Sequence, residues 1–277
     1  MQQSFSLQRC SLLIAKHWAE NKRRYLLSFA AYISLVFVWF VFIMMTDRID
    51  PMAEGLQRIT FYFSAIVVGP FYASQFFKEL GSKSKGTSYL MVPASSLEKL
   101  VCSLIYAMIF FPLALLAAFY IVDVLAVLIA NSSHSGYNGG ADPEGNILKA
   151  KVVNLFGFER RQERTALYYG ILVFFAIQSA ALLGSIYFAQ YSYIKTAIAL
   201  TLLFLFGAWF EHYVMEPILP NGNFHNNITR YSVNEGGQFR LVQLPSWVSP
   251  LLEIGFFYGA TLTLWTVSYF RLKEKEV

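Results

Sequence analysis

Charge is what this chain has least of: Asp, Glu, Lys and Arg make up 14% of its 277 residues, while 56% are hydrophobic and 17% aromatic. Soluble domains carry about a quarter charged residues, so an ordinary soluble fold is excluded. Cysteine is almost missing. Cys10 and Cys102 fall in stretches read below as cytoplasmic or at the membrane boundary, where thiols stay reduced, so no structural disulfide is expected. A phosphate-binding loop is also lacking. The nearest match, Gly81-Ser-Lys-Ser-Lys-Gly86-Thr87, has no lysine after its second glycine and follows no strand, so it cannot cradle a nucleotide. No His-Glu-x-x-His occurs, which removes the usual zinc protease frame. Glu211, His212, Glu216 and His225 gather late in the chain, but neither their spacing nor a helix frame suits a metal. No Ser-His-Asp or Cys-His set can be assembled from the order of residues. The first apolar run starts at Tyr25 and ends without a small-x-small site, so it is expected to stay as an anchor and not to be cleaved. Asn131-Ser-Ser and Asn227-Ile-Thr are chance sequons.

What the chain does have is long apolar runs, enough for six spans of about 20 residues each. They are placed at 25–45, 59–77, 100–130, 165–188, 196–210 and 250–270, giving an all-α polytopic membrane protein that forms a single transmembrane domain. Before them, residues 4–20 repeat Leu7, Cys10, Ile14 and Trp18 at helical spacing, which predicts an amphipathic helix lying in the interface and turning sharply into span one. Gly69-Pro70 is expected to bend span two in its middle. The third run is longer than one crossing needs and contains Pro112, so it must tilt, kink or extend beyond the bilayer. Short segments with Lys22-Arg23-Arg24, Lys78, Lys83, Lys85, Lys99, Lys195, Arg271, Lys273 and Lys275 carry the topological vote and place both termini in the cytoplasm. The formal charge of +5 follows from that asymmetry and does not call for nucleic acid.

Two outer loops result, 131–164 and 211–249. In the first, 147–163 is expected to form a short helix; in the second, Thr229–Val233 and Gln238–Val242 are predicted to pair as a hairpin. Among polar residues within or at the ends of spans, Asp123, Glu211 and Glu253 are placed at outer ends where water is near, and Gln178 stands inside span four. Ala180-x-x-x-Gly184 and Gly255-x-x-x-Gly259 offer close-packing faces.

The most informative stretch is the segment between spans two and three, residues 78–99. Pro93 ends any helix entering from before, Ser95 or Ser96 can cap a new one, and Glu98 sits in its first turn near the positive dipole end. Tyr89, Leu90 and Met91 make a compact apolar knob among basic residues. The wording Leu90-Met-Val-Pro-Ala-Ser-Ser-Leu-Glu-Lys99 resembles the loop between spans two and three of type-2 ATP-binding-cassette exporter permeases, bacterial six-span membrane subunits. The resemblance implies that this loop holds a coupling helix seated in a groove of a separate ATPase subunit, with Tyr89, Leu90, Met91, Pro93, Ser95, Glu98 and Lys99 as coupling residues. It implies no cofactor in this chain, ATP and magnesium on the partner, a second permease copy facing the first, and the bacterial inner membrane as the location. No motif defines the cargo. A six-span membrane enzyme using the outer-loop His and Glu residues, or a scaffold subunit without transport, are the alternatives the sequence leaves open.

Overall fold

The computed structural model describes residues 5–46, 52–81, 86–87, 89, 91–133, 149–157, 161–215, 222–223, 230–235, 238–243, 247–248, 251 and 254–275. Its helices are α1 (Leu7–Thr46), α2 (Glu54–Ala73), α3 (Ser96–Ile105), α4 (Phe111–Ser133), α5 (Arg161–Tyr187), α6 (Ser192–Phe210) and α7 (Ala260–Lys275). A π-helical turn, Tyr106–Phe110, joins α3 to α4, and two more, Glu211–Met215 and Ile254–Gly259, follow α6 and precede α7. Among the described residues, four stretches are long and apolar enough to cross a membrane: Leu7–Thr46, Ser96–Ser132, Glu163–Tyr187 and Ser192–Val214. The fold is therefore predominantly helical and suited to a multi-pass membrane protein. Compact packing divides the chain into two units, one of residues 1–72 and 91–174, the other of 73–90 and 175–277.

In the first unit, α1 corrects one expectation. The interfacial helix and span one are not separated by a turn; they form one helix of 40 residues. No Gly or Pro occurs between Leu7 and Thr46, so nothing interrupts the hydrogen-bond ladder. At 1.5 Å per residue the helix is roughly 60 Å long, about twice the hydrocarbon core of a bilayer. Span two also stops earlier than expected, at Ala73. Pro70 sits in the last turn of α2, which stops at Ala73 and gives way to turns and a 3-10 segment, Lys78–Gly81. Pro112 has no N–H to donate and its ring crowds the preceding turn. The π-turn lies just ahead of it, with Phe111 N–H reaching back to Tyr106 O.

The core of this unit is built from Val36 and Phe40 of α1, Phe61 of α2 and Leu115, Phe119, Val122 and Ala126 of α4. Phe119 receives Phe40 and Phe61 edge-on, at centroid distances of 6.1 and 5.1 Å. Against lipid, apolar burial drives little, so dispersion and hydrogen bonds such as Tyr32 Oη to Ser64 Oγ, 2.8 Å, hold the helices together.

The first long loop is not helical over 149–157. It crosses the far ends of the helices as an extended strap, with Val153 and Leu155 buried and Val152 and Phe156 exposed. Side chains serve its main chain where a neighbouring strand would. Asn131 exchanges two bonds with Ala150, both 3.0 Å; Gln57 Nε2 donates to Lys151 O at 3.2 Å; Asp123 Oδ2 accepts from Val153 N at 3.1 Å. Tyr62 Oη donates to Leu155 O at 2.6 Å, and Arg58 Nη2 to Gly157 O at 3.1 Å.

The second unit is organised around the turn from α5 into α6. A Cβ placed on Gly184 would lie 1.8 Å from Thr196 Oγ1, so α5 and α6 meet where only glycine fits. Ala180, one turn earlier, is also buried. Beyond Thr196, α6 exposes Leu202, Leu203, Phe204, Leu205, Phe206 and Trp209; a helix apolar all round is one made for lipid. The hairpin expected in the second long loop is present as β2 (Arg230–Glu235) against β3 (Gln238–Gln243), with Tyr231 opposite Val242, and β1 (Gly222–Asn223) adds a third strand.

The glycine pairs differ accordingly. Gly184→Ala is expected to destabilise the protein by about 2 kcal/mol through overpacking, with Thr196→Ala relieving part of the loss. Gly255→Ala, whose added Cβ meets nothing within 4 Å, should leave thermal stability in detergent unchanged; equal losses would contradict this packing.

Candidate coupling site on the connector

The connector divides between the two units. Its first part, in the second unit, leaves α2 through Ser74, whose carbonyl accepts from Ser192 Oγ at 3.1 Å. Phe77 is buried and stands edge-on to Tyr89, centroids 6.1 Å apart. Gly81 runs so close to the α5–α6 turn that a Cβ there would meet Ala189 O at 2.3 Å. Beside it Tyr191 takes a positive φ of 55° and is 72% exposed. Tyr89 is thus half-buried against its own unit, not a free knob. Leu90, Lys83 and Lys85 lie outside the described residues.

The second part, in the first unit, is built by Pro93 and Ser95. Ala94 N donates to Val92 O at 2.7 Å, a three-residue turn centred on Pro93, whose fixed φ suits that position. Met91, entering the turn, is 78% exposed. Ser95 then adopts an extended conformation and caps α3: its hydroxyl accepts from Glu98 N at 3.2 Å, and Glu98 Oε2 accepts from Ser95 N at 2.8 Å. This is the capping box that Ser-x-x-Glu predicts.

Glu98 does more than cap. Its other oxygen, Oε1, accepts from Ser6 N at 2.7 Å and from Arg9 Nη2 at 3.1 Å and Nε at 3.3 Å. The carboxylate is fully buried while Arg9 keeps a third of its side-chain surface in the open. Glu98 stands ahead of the apolar run that begins at Leu100. Burial pushes its carboxyl up, but the bonds from Ser95, Ser6 and Arg9 outweigh burial and hold it below the ordinary carboxylate range. Lys99 is buried as well. Of the expected coupling residues, then, Met91 and Pro93 present surface, Tyr89 presents part of its ring, and Ser95, Glu98 and Lys99 face inward and set the position of the turn. Sequence reasoning missed Ser6 and Arg9. Arg9 lies one turn before Leu13 on α1, and only the fold shows that it meets α3.

The intramembrane candidates separate in the same way. Asp123 does not meet water at an outer end. It is fully buried under the strap, where one oxygen holds Val153 N and the other has no hydrogen-bond partner among the described residues. Gln178 is fully buried, both amide atoms likewise without a partner there. Glu211 opens the π-turn after α6, and Glu253 lies outside the described residues. A Cβ placed on Gly259 would meet only Ile254 O, at 3.9 Å, and one on Gly255 nothing within 4 Å, so Gly255-x-x-x-Gly259 forms no packing face within this chain's described residues. His212 is exposed, its ring 4.8 Å from that of Tyr213, while Glu216 and His225 lie outside the described residues.

Comparison with known protein families, curated proteins and solved structures finds no match to this chain.

The clamp at Glu98 is open to a direct measurement. Glu98→Ala strands Ser6 N, Ser95 N and the Arg9 guanidinium and is expected to lower stability by about 2 kcal/mol, more than Arg9→Ala, which removes a half-open partner. A carboxyl held below its unfolded value stabilises the fold above the ordinary carboxylate range and stops doing so as pH falls through the lowered value. Acidification should therefore depress the thermal midpoint of the natural chain, and this acid-sensitive component should be absent from Glu98→Ala. Identical acid profiles would refute the assignment.

Proposed function

We propose that this chain is the membrane-spanning permease subunit of an ATP-binding-cassette exporter. It crosses the bacterial inner membrane six times with both termini in the cytoplasm. A separate subunit hydrolyses ATP with magnesium, and a second permease copy completes the pathway. The observation that carries this reading is the form of the connector: an exposed Met91 at a tight turn whose exit is held by a buried carboxylate bonded to two other points of the chain. A coupling surface needs both properties. It must show apolar area that a soluble partner can cover, and it must be stiff enough that a push on it moves helices and is not absorbed by the loop. The resemblance of Leu90–Lys99 to the exporter loop and the four long apolar helices support the same reading.

On this reading, closure of the ATPase pair presses on the connector. The load passes through the Ser95 cap into α3 and through Glu98 into α1, and two facing permeases open away from the ATPase by rigid-body movement. An amphiphilic cargo would travel along apolar surface, which fits the abundance of Phe and Tyr and the scarcity of charged groups in the helices.

The test is recovery of the detergent-solubilised protein from its native host together with whatever remains bound. An ATP-binding-cassette ATPase should accompany the natural chain and be lost, at least tenfold, from a Leu90→Asp, Met91→Asp double variant that still folds. If no ATPase is recovered with either, the exporter reading fails, and variants at His212 and His225 become the next measurement.

A further inference from the structure

The chain has two cysteines, and the fold sets them opposite each other. Two contacts fix how α1 lies along α3: Ser6 N to Glu98 Oε1 and Tyr106 Oη to Ile14 O. Both join residues 92 apart in sequence. Cys10 lies four residues after Ser6 and four before Ile14; Cys102 lies four after Glu98 and four before Tyr106. Residues four apart share a helix face, so the three pairs follow one seam between parallel helices, with the cysteines in the middle at the same offset. Both thiols are buried, Cys10 at 5% and Cys102 at 2% exposed, while Ser11 and Leu12 beside Cys10 are open. Both are free.

We propose that Cys10 and Cys102 are an oxidisable pair that closes into an internal disulfide and fastens α1 to α3. With hydrogen peroxide as oxidant, one thiolate attacks a peroxide oxygen, the O–O bond breaks, and a sulfenic acid and water form. The second thiol then attacks that sulfur, an S–S bond replaces the S–O bond, and a second water leaves. Two thiols give up two electrons and their protons end in water. Enclosed thiols react slowly, so the first step proceeds when the opening turns of α1 part from α3. The Arg9–Glu98 pair, one residue from Cys10, opposes that parting. This inference is independent of the transport reading.

The experiment treats the full-length protein in detergent with hydrogen peroxide, unfolds it in SDS and attaches a maleimide-polyethylene glycol tag to each remaining thiol. The natural chain should pass from two tags to none as a monomer two hydrogens lighter, and a reductant should restore both. Arg9→Ala should close the bond severalfold faster, and Cys102→Ser should yield no reducible internal product. Two tags persisting in both the natural and Arg9→Ala chains would overturn the proposal. So would disulfide-linked dimers in place of the internal bond, or thiols lost beyond rescue by reductant.

Discussion

A carboxylate cut off from water must be answered by donors, and that requirement at Glu98 orders one end of the first unit. Withdrawing such a group without partners costs several kcal/mol, so its four bonds are a condition of the fold. Ser95 N begins α3, Ser6 N begins α1, and Arg9 brings the opposing charge. One side chain thereby fixes where two helices start and how they lie against each other. The offset it sets continues one turn at a time to Tyr106, whose hydroxyl reaches Ile14 O. The turn at Pro93 inherits its position from the same group, because the helix it feeds cannot slide without stranding a charge.

The opposite end solves the same problem with many partners. Gln57, Arg58, Tyr62, Asp123 and Asn131 each hold a main-chain group of the strap, so side chains take the place of a neighbouring strand where this irregular segment enters the core. Irregular backbone at that depth is tolerable only when protein supplies every bond. Asp123, at first sight an interfacial carboxylate, is there for the strap.

Local features were legible in the sequence and distant ones were not. The Ser95 cap follows from Ser-x-x-Glu, the hairpin from its Gly-Gly pair between alternating residues, and the Gly184 contact from small residues four apart. Each is written within a few positions. The unbroken α1 was also legible, since no breaker separates Leu7 from Thr46; the basic cluster at Lys22 drew attention to charge where backbone chemistry decided. Ser6 and Arg9 at Glu98 and the strap's five anchors lie about 20 to 100 positions from what they hold. No periodicity encodes such pairings, because they depend on which helices become neighbours. The inward turn of Lys99 and of Tyr89 belongs to the same class.

The π-turn at Tyr106–Phe110 makes one helical rod serve two partners. A single added residue rotates everything beyond it by about 100° relative to a regular helix. Before the turn, the buried side is marked by Leu100 and Ser103; after it, by Leu115, Phe119, Val122 and Ala126. Run backwards at 3.6 residues per turn, the second series misses the first by about one position. The turn is thus a phase shift. The half beside the connector is bonded to the start of α1 through Glu98 and Tyr106, and the other half to the strap through Tyr120 and Asp123.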